Sequence, residues 1–138
     1  MLDVELVSPE RILYTGQASF VLARTVEGGD IAFLTGHAPF IGALEICTVK
    51  ITADDGGDLY FAVHGGFVEV SADQVTILSD VAELREEIDV PRAERARDAA
   101  EAALRNDADD EEAQAALKRA EIRLATAGAA TSASAAHH

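Results

Sequence analysis

Two histidines, His37 and His64, have the most direct access to acid–base or metal chemistry, and both stand in glycine-containing runs: Gly36-His37-Ala38-Pro39 and His64-Gly65-Gly66-Phe67-Val68-Glu69-Val70. An imidazole titrates near neutral pH and binds transition metals, so a His pair among carboxylates would suit a general base or a metal centre. The sequence completes neither. No third ligand stands at a recognisable metal spacing, and no candidate nucleophile adjoins a base. Cys47 lies among Ile46, Thr48 and Val49, which is the setting of a small buried hydrophobe, whereas a reactive thiol needs basic neighbours. Being single, it cannot form an internal disulfide. Gly28-Gly29-Asp30 and Gly56-Gly57 precede neither a lysine nor a helical pattern, so they read as hairpin turns rather than phosphate loops. What these residues do specify is backbone shape: glycine where φ is positive or chains approach closely, and Pro39 fixing a corner. A shaped surface points to a part in an assembly.

Composition narrows the partners. The chain has 138 residues, enough for one ordinary domain or a small domain with an appendage. Its formal charge is −14, from 25 acidic against 11 basic residues, which excludes the basic surface that nucleic acid or an anionic membrane requires. Apolar runs such as Phe20 to Ala23 and Ile31 to Leu34 are far too short to span a bilayer, and Met1-Leu2-Asp3 does not begin a signal sequence. The expectation is a soluble cytoplasmic chain with no direct membrane insertion.

The elements that must position these residues change character near residue 85. Before it, apolar and polar residues alternate in short runs: Val4 to Val7, Ile12 to Tyr14, Phe20 to Leu22, Ile31 to Phe33, Val49 to Ile51, Leu59 to Val63, Phe67 to Val70 and Val75 to Leu78. Period two is the strand period. Turn signals at Ser8-Pro9, Thr15-Gly16, Gly28-Gly29-Asp30, Asp54 to Gly57 and Ser71 to Asp73 separate the runs, as in a sandwich or flattened barrel. The reading is α+β: an antiparallel β-sandwich over residues 1–84, then an antiparallel two-helix hairpin over 85–128.

Past residue 85 the period lengthens to about three and a half. Ala93, Ala96, Ala100, Ala103 and Leu104 make one apolar stripe, capped by Asp89 with Pro91 in the first turn. Asn106 to Asp110 form a loop, and a second stripe follows in Ala113, Leu117, Ala120 and Leu124, with Gly128 as the stop. A seam built mostly of alanine buries little, since a methylene contributes about 0.8 kcal/mol and a large aliphatic side chain about 1.5–3 kcal/mol. The hairpin is therefore expected to be marginal and displaceable. Residues 129–138 carry only small and polar side chains and read as a disordered tail, whose His137 and His138 have no neighbouring carboxylate to orient them for a metal.

The ordered set Gly28 to Pro39, Gly65 to Val70 and Val75 to Leu78, followed by an alanine-rich hairpin, resembles the epsilon subunit family of F-type ATP synthases over residues 2–127. The resemblance implies a non-catalytic coupling subunit at the cytoplasmic face of the bacterial cell membrane. Its sandwich would bind the gamma subunit and the c-ring, with Gly36, His37, Ala38, Pro39 and Ile41 as contact residues. Its helices would extend toward the alpha and beta subunits through Arg105, Lys118, Arg119 and Arg123 and inhibit ATP hydrolysis. The exposed aliphatics expected of a two-sided sandwich, Ile41, Leu44 and Ile46, suit a protein interface.

No cofactor is required, but the run Ile88-Asp89-Val90-Pro91-Arg92-Ala93 is similar to the nucleotide motif of family members that bind regulatory ATP. The resemblance places Glu83, Ile88, Asp89, Arg92, Ala93 and Arg119 at that site, carboxylates accepting from adenine or ribose and arginines forking onto phosphate. The chain departs from the motif at Pro91 and Ala99. Against this stand local roles: Asp89 as a cap, Arg92 as an ion-pair partner, and the helix cations as macrodipole complements. Two other classes stay open, a free-standing ATP-binding sensor and a small hydrolase using His37 or His64.

Overall fold

Alternating Val, Ile, Leu and Phe produce strands that close on themselves, because each strand has one apolar face that must be hidden from water. In this computed structural model the backbone of residues 1–136 and the side chains of residues 1–129 are described. The chain divides after Leu84 into two units.

The first unit holds seven strands: β1 Leu2–Val7, β2 Ile12–Thr25, β3 Gly29–Leu34, β4 Phe40–Ala53, β5 Asp58–Ser71, β6 Gln74–Leu78 and β7 Ala82–Leu84. Their order is β1-β6-β5-β4-β2-β3, and β1 also pairs with β2, which closes a ring. Long strands make both layers of the flattened barrel. β2 pairs with β1 through residues 12–18 and with β3 through residues 20–25, while β5 pairs first with β7 and then with β6. Three expectations change here. The turn at Thr15-Gly16 and the break at His64-Gly65-Gly66 lie inside continuous strands, since the ladder on the opposite side is unbroken by them. Residues 40–48, without a clean alternation, belong to β4. And β1–β6 is parallel amid otherwise antiparallel pairs, because a crossover through the whole barrel separates those strands, where a hairpin would enforce antiparallel pairing.

The inward residues interlock as one core. Leu2, Leu6, Val21, Phe33, Val49, Ile51, Phe61, Val63, Val68 and Ile77 are fully buried. Leu44, read as an exposed aliphatic, is buried within it, while Ile41 is exposed and Ile46 intermediate. Strand parity sets Ile41 and Ala43 on the face opposite to Leu44, while Ile46 follows an irregularity in the β2–β4 register, beyond which the buried positions become Cys47, Val49 and Ile51.

The second unit is a 3₁₀ turn, Arg85–Glu87, then α1 Val90–Asn106 and α2 Glu111–Ala136 packed against each other. Asp89 caps α1, its Oδ1 accepting from Arg92 N at 3.1 Å. Asp110 does the same for α2, accepting from Ala113 N at 3.0 Å. On α1 the buried positions are Ala93 and Ala100, with Arg97 half-buried and Ala96 exposed. At 3.6 residues per turn, residue 97 lies about 40° from residue 93 and residue 96 about 60°, so the arginine stem takes the place expected of alanine. On α2, Ala113 and Ala120 are buried, Leu117 and Leu124 half-buried, and Thr126 is fully buried. α2 runs past the expected stop at Gly128 and ends at Ala136; one interior glycine costs only about 1 kcal/mol, and the alanines around it favour helix. His137 and His138 lie outside the described residues. Among the described residues no helix is long and apolar enough to cross a membrane.

Closure depends on Gly66. A Cβ there would sit 2.1 Å from the Leu78 carbonyl oxygen, and the residue has φ +131°, so β5 and β6 approach in a way no side chain permits. We expect Gly66→Ala to destabilise the first unit by about 3 kcal/mol, comparable to a cavity-forming core change such as Phe61→Ala. Urea denaturation of the two variants beside the parent chain measures this, and an unchanged midpoint for Gly66→Ala would refute it.

Candidate functional site

At one end of the barrel, the sequence Thr35 to Pro39 joins β3 to β4. Gly36 adopts φ +86° with nothing near its missing Cβ, and His37 N donates to the Leu34 carbonyl at 3.0 Å. The positive φ turns the chain sharply, leaving Ala38 and Pro39 exposed. The His37 ring is held in place: it meets Phe33 edge-on at 5.1 Å and Phe40 at 6.5 Å, and its Nδ1 donates to the Ala38 carbonyl at 2.7 Å. A further support comes from the β5–β6 turn, where Asp73 Oδ1 accepts from Gly36 N at 2.7 Å.

Beside this loop lies an apolar strip that strand register assembles. Ala43 pairs with Phe67, Phe67 with Leu78, and Leu78 with Val7, so these residues share one outward face with Ile41, two positions from Ala43. Ile41 is 70 % exposed, Phe67 60 % and Leu78 52 %. Large apolar side chains continuous over four strands make this strip the candidate interaction surface. Val7, Pro9, Gly66, Phe67 and Leu78 also line a cleft of about 350 Å³. Phe67 and Leu78 were not singled out from sequence as members of this candidate surface, though the parity of Val68 and Val70 already directs Phe67 outward.

His64 lines the same cleft but is occupied. Its side chain is only 4 % exposed, and its Nε2 lies 3.2 Å from Glu83 Oε1, an interaction between β5 and β7. Gly28 ends the β2–β3 hairpin turn and Gly29 and Asp30 open β3, paired with Thr25 and Arg24, so the run marks the hairpin one to two residues late. Thr25 Oγ1 accepts from Gly28 N at 2.9 Å, and Arg24 grips Asp30 through Nε at 2.8 Å and Nη2 at 3.3 Å. That guanidinium holds the Asp30 carboxyl below its ordinary range. Among the described residues no group of three or more His, Cys, Asp or Glu could hold a metal.

The residues implied for ATP are divided between the units. Glu83 ends the first and is engaged by His64. In the second, Ile88 and Ala93 are buried, Asp89 is committed to its cap, Arg92 is exposed, and Arg119 Nη2 donates to Glu112 Oε1 at 3.1 Å. The other helix cations are spread out: Arg105 in the last turn of α1, Lys118 exposed on α2, and Arg123 half-buried one turn beyond Arg119.

Residues 1–85 match the family model described as ATP synthase, Delta/Epsilon chain, beta-sandwich domain, and residues 86–128 match the one described as ATP synthase, Delta/Epsilon chain, long alpha-helix domain. The chain belongs to the ATP synthase delta/epsilon chain family. An ATP synthase epsilon chain from Streptomyces griseus is 45 % identical over 123 residues, covering 89 % of this chain and 92 % of that one. Another from Thermobifida fusca is 45 % identical over 131 residues, covering 93 % of each. Among solved structures, a chain of the Euglena gracilis mitochondrial ATP synthase superposes with TM-score 0.69 at 23 % identity, covering 96 % of this chain and 80 % of that one. One from the central stalk and c-ring of the Tetrahymena thermophila enzyme gives 0.53 at 19 %, covering 94 % and 96 %. At those identities the superpositions speak for the fold alone. Delta/epsilon chains are non-catalytic, so the hydrolase reading of His37 and His64 is set aside, in keeping with the packed positions of both rings.

Cys47 is 4 % exposed, and burial pushes its thiol above the ordinary range, only partly offset by Arg24. Because the folded value is raised, the native state favours the neutral thiol: its contribution to stability is complete below the unfolded thiol pKa and is lost as pH rises toward the folded one. Alkylation of native Cys47 by iodoacetamide at pH 8 should be at least about tenfold slower than in urea. Equal rates would place the thiol at the surface.

Proposed function

We propose that this chain is a central-stalk subunit of an F-type ATP synthase, peripheral to the membrane, which couples rotation to ATP synthesis and restrains ATP hydrolysis through its helices. The observation that carries the coupling role is the strip Ile41-Ala43-Phe67-Leu78 beside the Gly36 to Pro39 turn: a rigid closed barrel presents large apolar side chains to solvent. In this reading the strip seats the gamma subunit, and the loop meets the c-ring. The family of the chain and its likeness to ATP synthase epsilon chains support the assembly. Replacing Ile41 by Ser removes the most exposed aliphatic of the strip without touching the core. Rebinding of the Ile41→Ser chain to stalk–ring complex stripped of its native copy should weaken roughly tenfold, as for a central contact in a protein interface; equal affinity would take the strip out of the interface.

The regulatory role rests on the second unit, a hairpin whose buried seam is largely alanine. Its low burial makes displacement by the alpha and beta subunits inexpensive, and Arg105, Lys118, Arg119 and Arg123 supply cations for their acidic segments. Truncation after Leu84 retains the whole first core. ATP hydrolysis by the cognate catalytic complex should rise roughly fivefold or more with the truncated chain. Unchanged hydrolysis would leave the barrel's coupling role alone.

Regulatory ATP is the ligand proposed for Asp89, Arg92 and Arg119, with Glu83, Ile88 and Ala93 as further members of the set. Arg92 is the exposed guanidinium in the first turn of α1, whereas Asp89, Arg119 and Glu83 each have a local partner to exchange. The expected affinity is accordingly weak, with Kd on the order of 1 mM. Calorimetry should register ATP binding by the parent chain and its loss in Arg92→Ala; no heat with the parent chain ends the idea.

A further inference from the structure

We infer that Asp73 is a positioning residue for the partner-facing loop, a role that rests on the docking reading above. The β5–β6 connection is a two-residue turn in which Ala72 has φ +50° and Asp73 φ +64°. Such a turn matches the twist of its strands, and aspartate tolerates the left-handed region better than most residues. Asp73 is then fixed twice. Its carbonyl accepts from Asp3 N at 2.8 Å, tying the turn to β1, and its Oδ1 accepts from Gly36 N at 2.7 Å.

The second bond joins positions 37 residues apart. A carboxylate accepting from a backbone N–H at that length is a charge-assisted bond, stronger than a neutral one. It meets the loop at Gly36, where φ +86° gives the chain its corner. On the other side His37 is held by Phe33, which is fully buried, and by Phe40. Ala38, Pro39 and Ile41 are therefore presented from a loop fastened at both ends. A loop ordered beforehand loses less conformational entropy on docking. The strut converts a hairpin tip with no partner role of its own into part of the docking end.

The test uses the full chain with Asp73→Gly, which keeps the positive φ and removes the acceptor, and Asp73→Asn, which keeps both. Amide exchange at Gly36 should be roughly tenfold faster in Asp73→Gly and within about threefold of the parent in Asp73→Asn. Affinity for the stripped stalk–ring complex should fall roughly fivefold in the glycine variant and recover in the asparagine variant. Unchanged Gly36 exchange in Asp73→Gly would overturn the strut itself. Faster exchange with unchanged affinity would overturn the positioning role if Ile41→Ser does weaken binding. If Ile41→Ser also binds normally, the docking reading has failed and the positioning role falls with it.

Discussion

The first unit depends on the close approach of β5 to β6 at Gly66. β5 pairs with β4 along its whole length, and on its other edge it must serve β7 and β6 in turn. Both pairings keep one register, so β6 and β7 act as a single strand interrupted at Ser79 to Val81, opposite His64 to Gly66. The interruption is filled by close backbone contact: the Leu78 carbonyl occupies the space where a Cβ of residue 66 would stand. Ser79 N donates to the Val7 carbonyl and His64 N to the Val81 carbonyl, which gives these two donors at the break a partner. Without that approach β6 could not reach β1, and the ring would stay open with unpaired strand edges.

Closure has a consequence for surface chemistry. A ring of strands with a filled interior fixes which residues face outward, and β4, β5, β6 and β1 present Ala43, Phe67, Leu78 and Val7 in one row. Phe67 and Leu78 stay exposed, and Ala43 and Val7 half-exposed, because the inward positions are already taken by Leu44, Val68 and Ile77. The apolar strip follows from parity. Its rigidity distinguishes it from the helical unit, where the side chains between α1 and α2 are small and the buried area per turn is low. One sequence thus carries a firm platform and a loosely packed pair of helices.

His64 shows how a residue with chemical promise becomes structural. Its imidazole is withdrawn from solvent and faces Glu83 across the β5–β7 pair, so the carboxylate that the family resemblance assigns to ATP already has a neighbour. His37, half-buried, packs edge-on against Phe33 and Phe40. Spacing alone suggested a pair; the fold places each ring in separate packing.

Period and turn chemistry determined the two units, the strands with clean alternation, the Asp89 cap and the buried Cys47, because each depends on neighbours a few residues away. The motifs from Gly28 to Leu78 also sufficed to identify the family. Sequence alone did not show that Thr15-Gly16 and His64 to Gly66 lie within strands, that Leu44 is core, that Arg97 replaces Ala96 on the helix seam, or that α2 runs past Gly128. Most of these depend on what stands opposite. Glycine reads as a turn until a long partner strand bridges it, and a mixed run such as residues 40–48 becomes a strand only when β2 and β5 flank it. The same holds for the proposed docking surface: Gly36 to Pro39 and Ile41 stood out in the sequence as candidates, while Phe67, Leu78 and Asp73 joined that candidate set only through strand register and a bond across 37 residues. Local preference selects an element, whereas tertiary pairing decides its length and which face meets solvent.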